Sequence, residues 1–216
     1  PEVFEVIGRY VDEINTAGNR GKELVSKLLT YSRGGRAEKI EVDVAEVIDE
    51  TTRLIRPTFP ASIGLELSLA PGIIALASPI ELQQVIMNLC LNARDALDGH
   101  GHIRITLVGR SRVKDVCSAC FSPIDGEFIA ITISDNGPGI PPSQHPHIFE
   151  PFFSTKGVGG TGLGLSMVHG ILHEHQGHIL LRSDEAKGTA FDILLPPNGP
   201  IATAPPAPTP AQSGRF

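Results

Sequence analysis

No run of apolar residues in this 216-residue chain approaches the ~20 that a membrane-spanning helix needs, so membrane contact is expected only through segments absent from it. Nor is positive charge in excess. Lys and Arg number 18 against 24 Asp and Glu, and the net charge of −6 gives no reason to expect nucleic-acid binding. Cysteine is scarce and odd in number: Cys90, and the pair Cys117-Ser-Ala-Cys120. That usage suggests a reducing compartment. One Cys-x-x-Cys is half a zinc site at best, and no second half appears at a suitable spacing, so the pair is read as part of an ordinary loop. There is no signal peptide, and a chain that opens on Pro1 is expected to be a piece cut from something longer. No histidine occurs before His100.

What is present is ordinary for a globular protein: 41% hydrophobic and 19% charged residues, enough for one medium domain with a real core plus appendages. The most informative stretch is Ser78 to Leu97. Ser78 as N-cap, Pro79 at the first helical position and Glu81 three residues after the cap form a capping box with the favoured proline. Leu82, Val85, Leu89, Ala93, Ala96 and Leu97 make an apolar stripe of helical period. Glu81, Gln84, Asn88, Asn92 and Asp95 share another face, flanked by Met87 and Leu91. Amides beside apolar neighbours need hydrogen-bond partners. Either loop backbone satisfies this stripe, or it forms one wall of a polar ligand site.

Residues 1 to about 33 read as a long helix whose apolar seam repeats over roughly four heptads, from Phe4 and Ile7 to Val25 and Leu28, and such a seam wants a partner helix. Gly34-Gly35 ends it. Lys39 to Val44 then reads as a strand, and Ala45 to Ile55 as a helix with Val47, Ile48, Thr51 and Leu54 on one face. Strands are expected around Leu65–Leu69, Ile73–Ala77, His102–Val108 and Phe128–Asp135, with a long loop holding the cysteine pair between the last two. His178–Arg182 and Thr189–Leu195 read as a hairpin. Helices and strands mixed without a regular βαβ rhythm point to an α+β, layered α/β sandwich with an antiparallel or mixed sheet. From Pro196 onward seven prolines mark an extended tail or linker.

Three features carry chemistry. Asp135 is in register with Ile129, Ile131 and Ile133, so a carboxylate faces the apolar side of its strand, ahead of the sharp turn Asn136-Gly137-Pro138-Gly139. The bland alternative is an aspartate that hydrogen-bonds its own turn. Phe149 to Lys156 resembles the anchor of a flap. Gly157 to Ser166 is glycine-rich and opens a helix running to about His175, an arrangement that suits an anion such as phosphate. Two other signals are set aside. Gly157-x-Gly159-x-x-Gly162, with Asp184 downstream, matches a dinucleotide fingerprint, but Pro151 and Lys156 precede it where an apolar strand should stand. His173 and His175 are two apart, so they do not form a metal pair on a helix, and both are read as surface residues.

Taken together, Asn88-x-x-x-Asn92, Asp135-Asn136-Gly137-Pro138-Gly139, Phe149-x-Pro151-Phe152-Phe153 and Gly160-x-Gly162-x-Gly164-Leu165, with Gly188-Thr189 behind them, resemble the nucleotide-binding domain of sensor histidine kinases. That family sits within the wider superfamily of gyrase-, heat-shock- and mismatch-repair-type ATPases. The resemblance implies a Bergerat fold over residues 36–196, residues 1–35 as the second helix of a dimerisation hairpin, and 197–216 as a linker or tail. It implies ATP and Mg²⁺ as guests. Asp135 would accept the adenine amino group, and Asn92, with Asn88, would hold the metal. Gly160, Gly162 and Gly164 would offer amides to the phosphates, with Lys156 a γ-phosphate contact. Asp95, Gly137, Gly139, Phe153, Thr161, Leu163 and Thr189 complete the implied nucleotide site. Hydrolysing relatives carry a glutamate four residues before the metal-binding asparagine, and this chain has Asn88 there, so phosphoryl transfer is expected over hydrolysis. The implied acceptor histidine is missing, which is expected if the chain starts downstream of it; the alternatives are a degenerate kinase whose nucleotide-binding module signals by changing shape, or an ATPase of the same superfamily. A homodimer, a response-regulator receiver partner and a cytoplasmic location complete what the resemblance implies.

Overall fold

The computed structural model describes residues 38–155, 161–185 and 187–199. The expected helix over 1–35 and the tail from 200 onward lie outside them.

Chain order begins with a small ribbon. β1 (Ile40–Asp43) pairs antiparallel with β3 (Ile74–Ala77), and α1 (Val44–Ile55) follows β1 directly. The Asp43 carboxylate caps α1 by accepting from the Ala45 N–H at 2.9 Å. The face α1 buries is Val44, Val47, Ile48, Thr51, Thr52 and Ile55. Leu54, expected on that face, is 65% exposed. Leu54 lies two turns beyond Val47, at the margin of the buried face, whereas Ile55 lies two turns beyond Ile48, at its centre.

The main sheet has strand order β2-β4-β5-β7-β6. β2 (Ile63–Leu69) runs parallel to β4 (Gly101–Val116). β5 (Pro123–Asp135), β7 (Gly188–Leu195) and β6 (His178–Asp184) complete it through antiparallel pairs. The sheet is therefore mixed, as expected. α2 (Pro79–Ala96) and α3 (Gly164–Glu174) lie on one face. There Ile103, Ile105, Leu107, Ile129, Ile131, Ile133 and Ile193 meet Leu82, Val85, Ile86, Leu89 and Cys90 of α2, all essentially inaccessible to water. This is a two-layer α/β sandwich.

The expected loop around the cysteines is instead a β arm. β4 continues to Val116 and β5 starts at Pro123, with a register shift between Arg110 and Val113. Val113 and Ile124 are buried, which is what keeps the arm paired so far beyond the sheet. Its tip reaches edge strand β6, where the Ser118 N–H donates to Ile179 O at 2.8 Å and Ser118 Oγ accepts the Leu181 N–H at 2.9 Å. Since β7 separates β5 from β6, the arm reaches past β7 to the far edge of the sheet.

His175 is a third correction. Expected at the surface, it is 6% exposed and joins the end of α3 to the start of α2. Ser78 Oγ accepts the Glu81 N–H at 3.3 Å, half of the capping box. The reciprocal half is made by His175, whose Nε2 accepts the Ser78 N–H at 3.1 Å. Its Nδ1 lies 2.9 Å from the Ile171 carbonyl, which can only accept, so one neutral tautomer serves both contacts. Replacing His175 by Ala strands a buried donor and is expected to cost about 2 kcal/mol in denaturant unfolding, whereas His173→Ala, at an exposed position, should stay within about 0.5 kcal/mol of wild type. Equal costs would refute the cap.

Candidate functional site

Gln84, Asn88 and Asn92 are half-buried on α2. The amide nitrogens of Gln84 and Asn88 both face the Met167 sulfur of α3. A Cβ built on Gly164 would lie 3.7 Å from Asn88 Oδ1 and 3.8 Å from Asn92 Nδ2, so both asparagines stand against the first turn of α3. That turn is open: its N-cap is Leu163, and no described side chain caps it. The unpaired N–H groups and the positive end of the helix dipole favour an anion there. The polar stripe thus has a partner in α3, and its open end is a helix N-terminus. Met167 escaped the sequence reading, although it stands three residues after Gly164 and so on the same helix face.

A second group gathers at the end of β5. Asp135 follows the buried Ile129, Ile131 and Ile133 on the helix side of the strand. Its Oδ1 accepts the Gly137 N–H at 2.9 Å, so the turn reading of this aspartate is also correct. Burial pushes its carboxyl pKa up, and hydrogen bonds from the Gly137 and Thr189 N–H groups offset that only in part. Two glycines are dictated here by contact and conformation. Gly188 has φ +99°, and a Cβ on it would sit 2.0 Å from Asp135 O; Gly139 has φ +77° and the same problem with Asp184 O at 2.3 Å. Ser183 ties the turn to the β6–β7 hairpin: its Oγ accepts the Ile140 N–H at 2.8 Å and lies 3.0 Å from Thr189 Oγ1. Asp135 and Thr189 line a cleft of about 610 Å³ with Ser183, Lys187 and His145, a volume suited to a small ligand. The asparagines and Gly164 are not among its lining residues, so the described surface carries two parts of the expected site.

The aromatic segment connects to the second part of the glycine loop. Phe149 is buried edge-on to Phe191, with ring centroids 6.4 Å apart, and anchors the segment as expected. Phe153 lies beside His147. Phe152 is exposed at φ +68°, and its N–H donates to Gly162 O at 2.9 Å. Gly162, at φ +64°, has no room for a Cβ against the Phe152 backbone. Thr161 and Leu163 flank it, and Leu163 O accepts the Met167 N–H at 3.0 Å. Asp95 sits near the end of α2, ion-paired with Arg94 at 2.7 Å. Lys156 and Gly160 lie outside the described residues.

Residues 77–199 match the family described as histidine kinase-, DNA gyrase B- and HSP90-like ATPases. The chain belongs to this family. Among curated members, the sensor kinase CckA of Brucella abortus (strain 2308) is 33% identical over 191 residues, or 85% of this chain and 20% of that protein. Of solved structures, the nucleotide-free catalytic domain of histidine kinase ThkA superposes with a TM-score of 0.58 at 28% identity, covering 74% of this chain and 96% of that one. Full-length ShkA in complex with AMPPNP gives 0.66 at 25% identity, covering 90% of this chain and 39% of that one. The chain thus spans a fifth of CckA and two-fifths of ShkA.

The raised carboxyl pKa in this ATPase-family domain has a consequence for stability. A carboxyl that holds its proton more tightly when folded stabilises fully below the ordinary carboxylate range, and that stability is lost as pH rises through the raised value. Asp135→Asn keeps the acceptor oxygen but never ionises. It is expected to raise Tm near neutral pH and to match wild type in acid. A difference independent of pH would contradict the assigned environment.

Proposed function

We propose that this domain binds Mg-ATP and directs its γ-phosphoryl group to a histidine on a dimerisation hairpin, for relay to an aspartate of a response-regulator receiver domain. The observation that carries the reading is the meeting of Asn88 and Asn92 with the open N-terminus of α3. Amide oxygens are hard donors that suit Mg²⁺, and the free N–H groups beside them suit phosphate oxygens. Asn92, with Asn88, would hold the metal, which when bound neutralises phosphate charge. Gly162, Gly164, Thr161 and Leu163 carry the anion-facing backbone, with Gly160 and Lys156 completing that loop in sequence. Asp135 receives the adenine amino group, its neighbours Gly137, Gly139 and Thr189 shape the floor, and Phe153 and Asp95 stand at the margins. These residues bind, orient and exclude water; they supply no covalent partner.

Asn88 sets the choice between transfer and hydrolysis. Its amide cannot take a proton from water near neutral pH, so the site lacks a general base at the position where hydrolysing relatives are implied to have glutamate. Residues 36–196 form the catalytic unit in this reading, 1–35 pair with a second copy, 197–216 are tail, and the protein works in the cytoplasm. Incubating the chain with radiolabelled ATP and a separate fragment bearing the acceptor histidine should give acid-labile label on that fragment. Asn92→Ala should reduce transfer at least about 100-fold, as expected for loss of a group that holds the reacting ensemble, and Asp135→Asn should weaken ATP binding about tenfold, the size of one lost charge-assisted hydrogen bond. Steady phosphate release by the chain alone, without transfer, would overturn the proposal.

A further inference from the structure

The β4–β5 arm ends in a turn that the nucleotide site does not use. Cys117 is 1% exposed at its first corner. The turn closes through the Phe121 N–H on Cys117 O at 3.0 Å and the Cys117 N–H on Ser122 O at 2.9 Å, with Phe121 at φ +58°. Cys120 follows inside it, and its Sγ lies 3.4 Å from Ser122 Oγ. Docking of Ser118 against Ile179 and Leu181 sets this turn beside His178, the first residue of β6. Cys117 Sγ, Cys120 Sγ and a ring nitrogen of His178 all lie within 4.8 Å of one another. The Nδ1 of His178 is buried and has no hydrogen-bond partner among the described residues, an orphan that a folded protein ordinarily satisfies.

We propose that Cys117, Cys120 and His178 bind Zn²⁺, fastening the tip of the arm to the edge of the sheet. Two thiolates and an imidazole are the borderline-soft donors that zinc selects, whereas Mg²⁺ and Ca²⁺ require oxygen ligands. Tetrahedral zinc at ordinary bond lengths holds its ligand atoms about 3.5–3.8 Å apart, so the cluster closes by about an ångström on binding. A water or Ser122 Oγ completes the fourth position. The site is structural: His178 and Asp184 stand at opposite ends of β6, about 20 Å apart, which separates the metal from Asp135. Without the metal, the tip is tied to β6 mainly by the Ser118 hydrogen bonds and the Cys117 thiol on Ile179 O. With it, the second half of the zinc site comes from β6, 58 residues beyond Cys120 in number and adjacent in space.

The test is metal analysis of the whole chain, purified in reductant, incubated with zinc and desalted. About one equivalent of zinc per chain is expected, with Co²⁺ substitution giving thiolate-to-cobalt absorption and with release of about two protons on binding as the thiols ionise. Cys120→Ser and His178→Ala should lose the equivalent and the cobalt bands, and a chelator should lower the Tm of wild type but not of Cys120→Ser. Cys120 is only partly buried, so its serine variant is expected to fold. Substoichiometric zinc in the folded wild-type chain would overturn the proposal. So would full zinc retention by Cys120→Ser, or a Cys117–Cys120 disulfide that forms in reductant and excludes metal.

Discussion

Three contacts fix the register of α3 against α2, and with it the distance between two amides and a helix N-terminus. Gly164 meets Asn88 and Asn92, Met167 meets Gln84 and Asn88, and His175 meets Ser78. The order of these contacts makes the helices antiparallel. Eleven residues of α3 advance about 16 Å, close to the interval on α2 from Ser78 to Asn88. A slip of one turn, about 5.4 Å, would carry the open N-terminus away from the asparagines. His175 resists that slip, because moving it strands the Ser78 N–H in a buried place. The histidine lies a full helix length from the site and sets its geometry.

One buried and one half-buried carboxylate show how differently the sheet treats negative charge. Asp192 is fully inaccessible, yet Thr132 Oγ1 donates to it at 2.5 Å, and Arg182 and Arg110 stand at 2.5 and 3.5 Å. Such a group is satisfied within the fold, and removing one partner would expose the cost of its burial. Among the described residues Asp135 is met by the Gly137 and Thr189 N–H groups and pairs with no cation. Those hydrogen bonds offset the burial of its carboxyl only in part. The fold neutralises one carboxylate with arginines and meets the other with backbone N–H groups.

Local signals made α2 legible in the sequence, since cap, proline and period all lie within twenty positions of one another. Asp135 was legible because strand alternation alone sets its face. What escaped depended on distant partners. Nothing near His175 announces a contact with Ser78, 97 residues earlier. The arm hid because polar residues such as Arg112, Lys114 and Asp115 interrupt its apolar pattern, leaving Val113 and Ile124 as isolated signals. The Cys-x-x-Cys pair could be read only as half a site, because the strand order that delivers His178 is a property of the whole sheet.

The contact between Gly188 and the Asp135 carbonyl bears on how this domain can diverge. It involves backbone atoms on the Asp135 side, so it persists whatever side chain occupies that position. Exchanging the carboxylate would strand the Gly137 and Thr189 N–H groups but leave this backbone contact in place. Exchanging the glycine would reshape the β5–β7 pairing. Descendants that have lost the ligand should therefore still carry the glycine, a relic of the architecture and not of the chemistry.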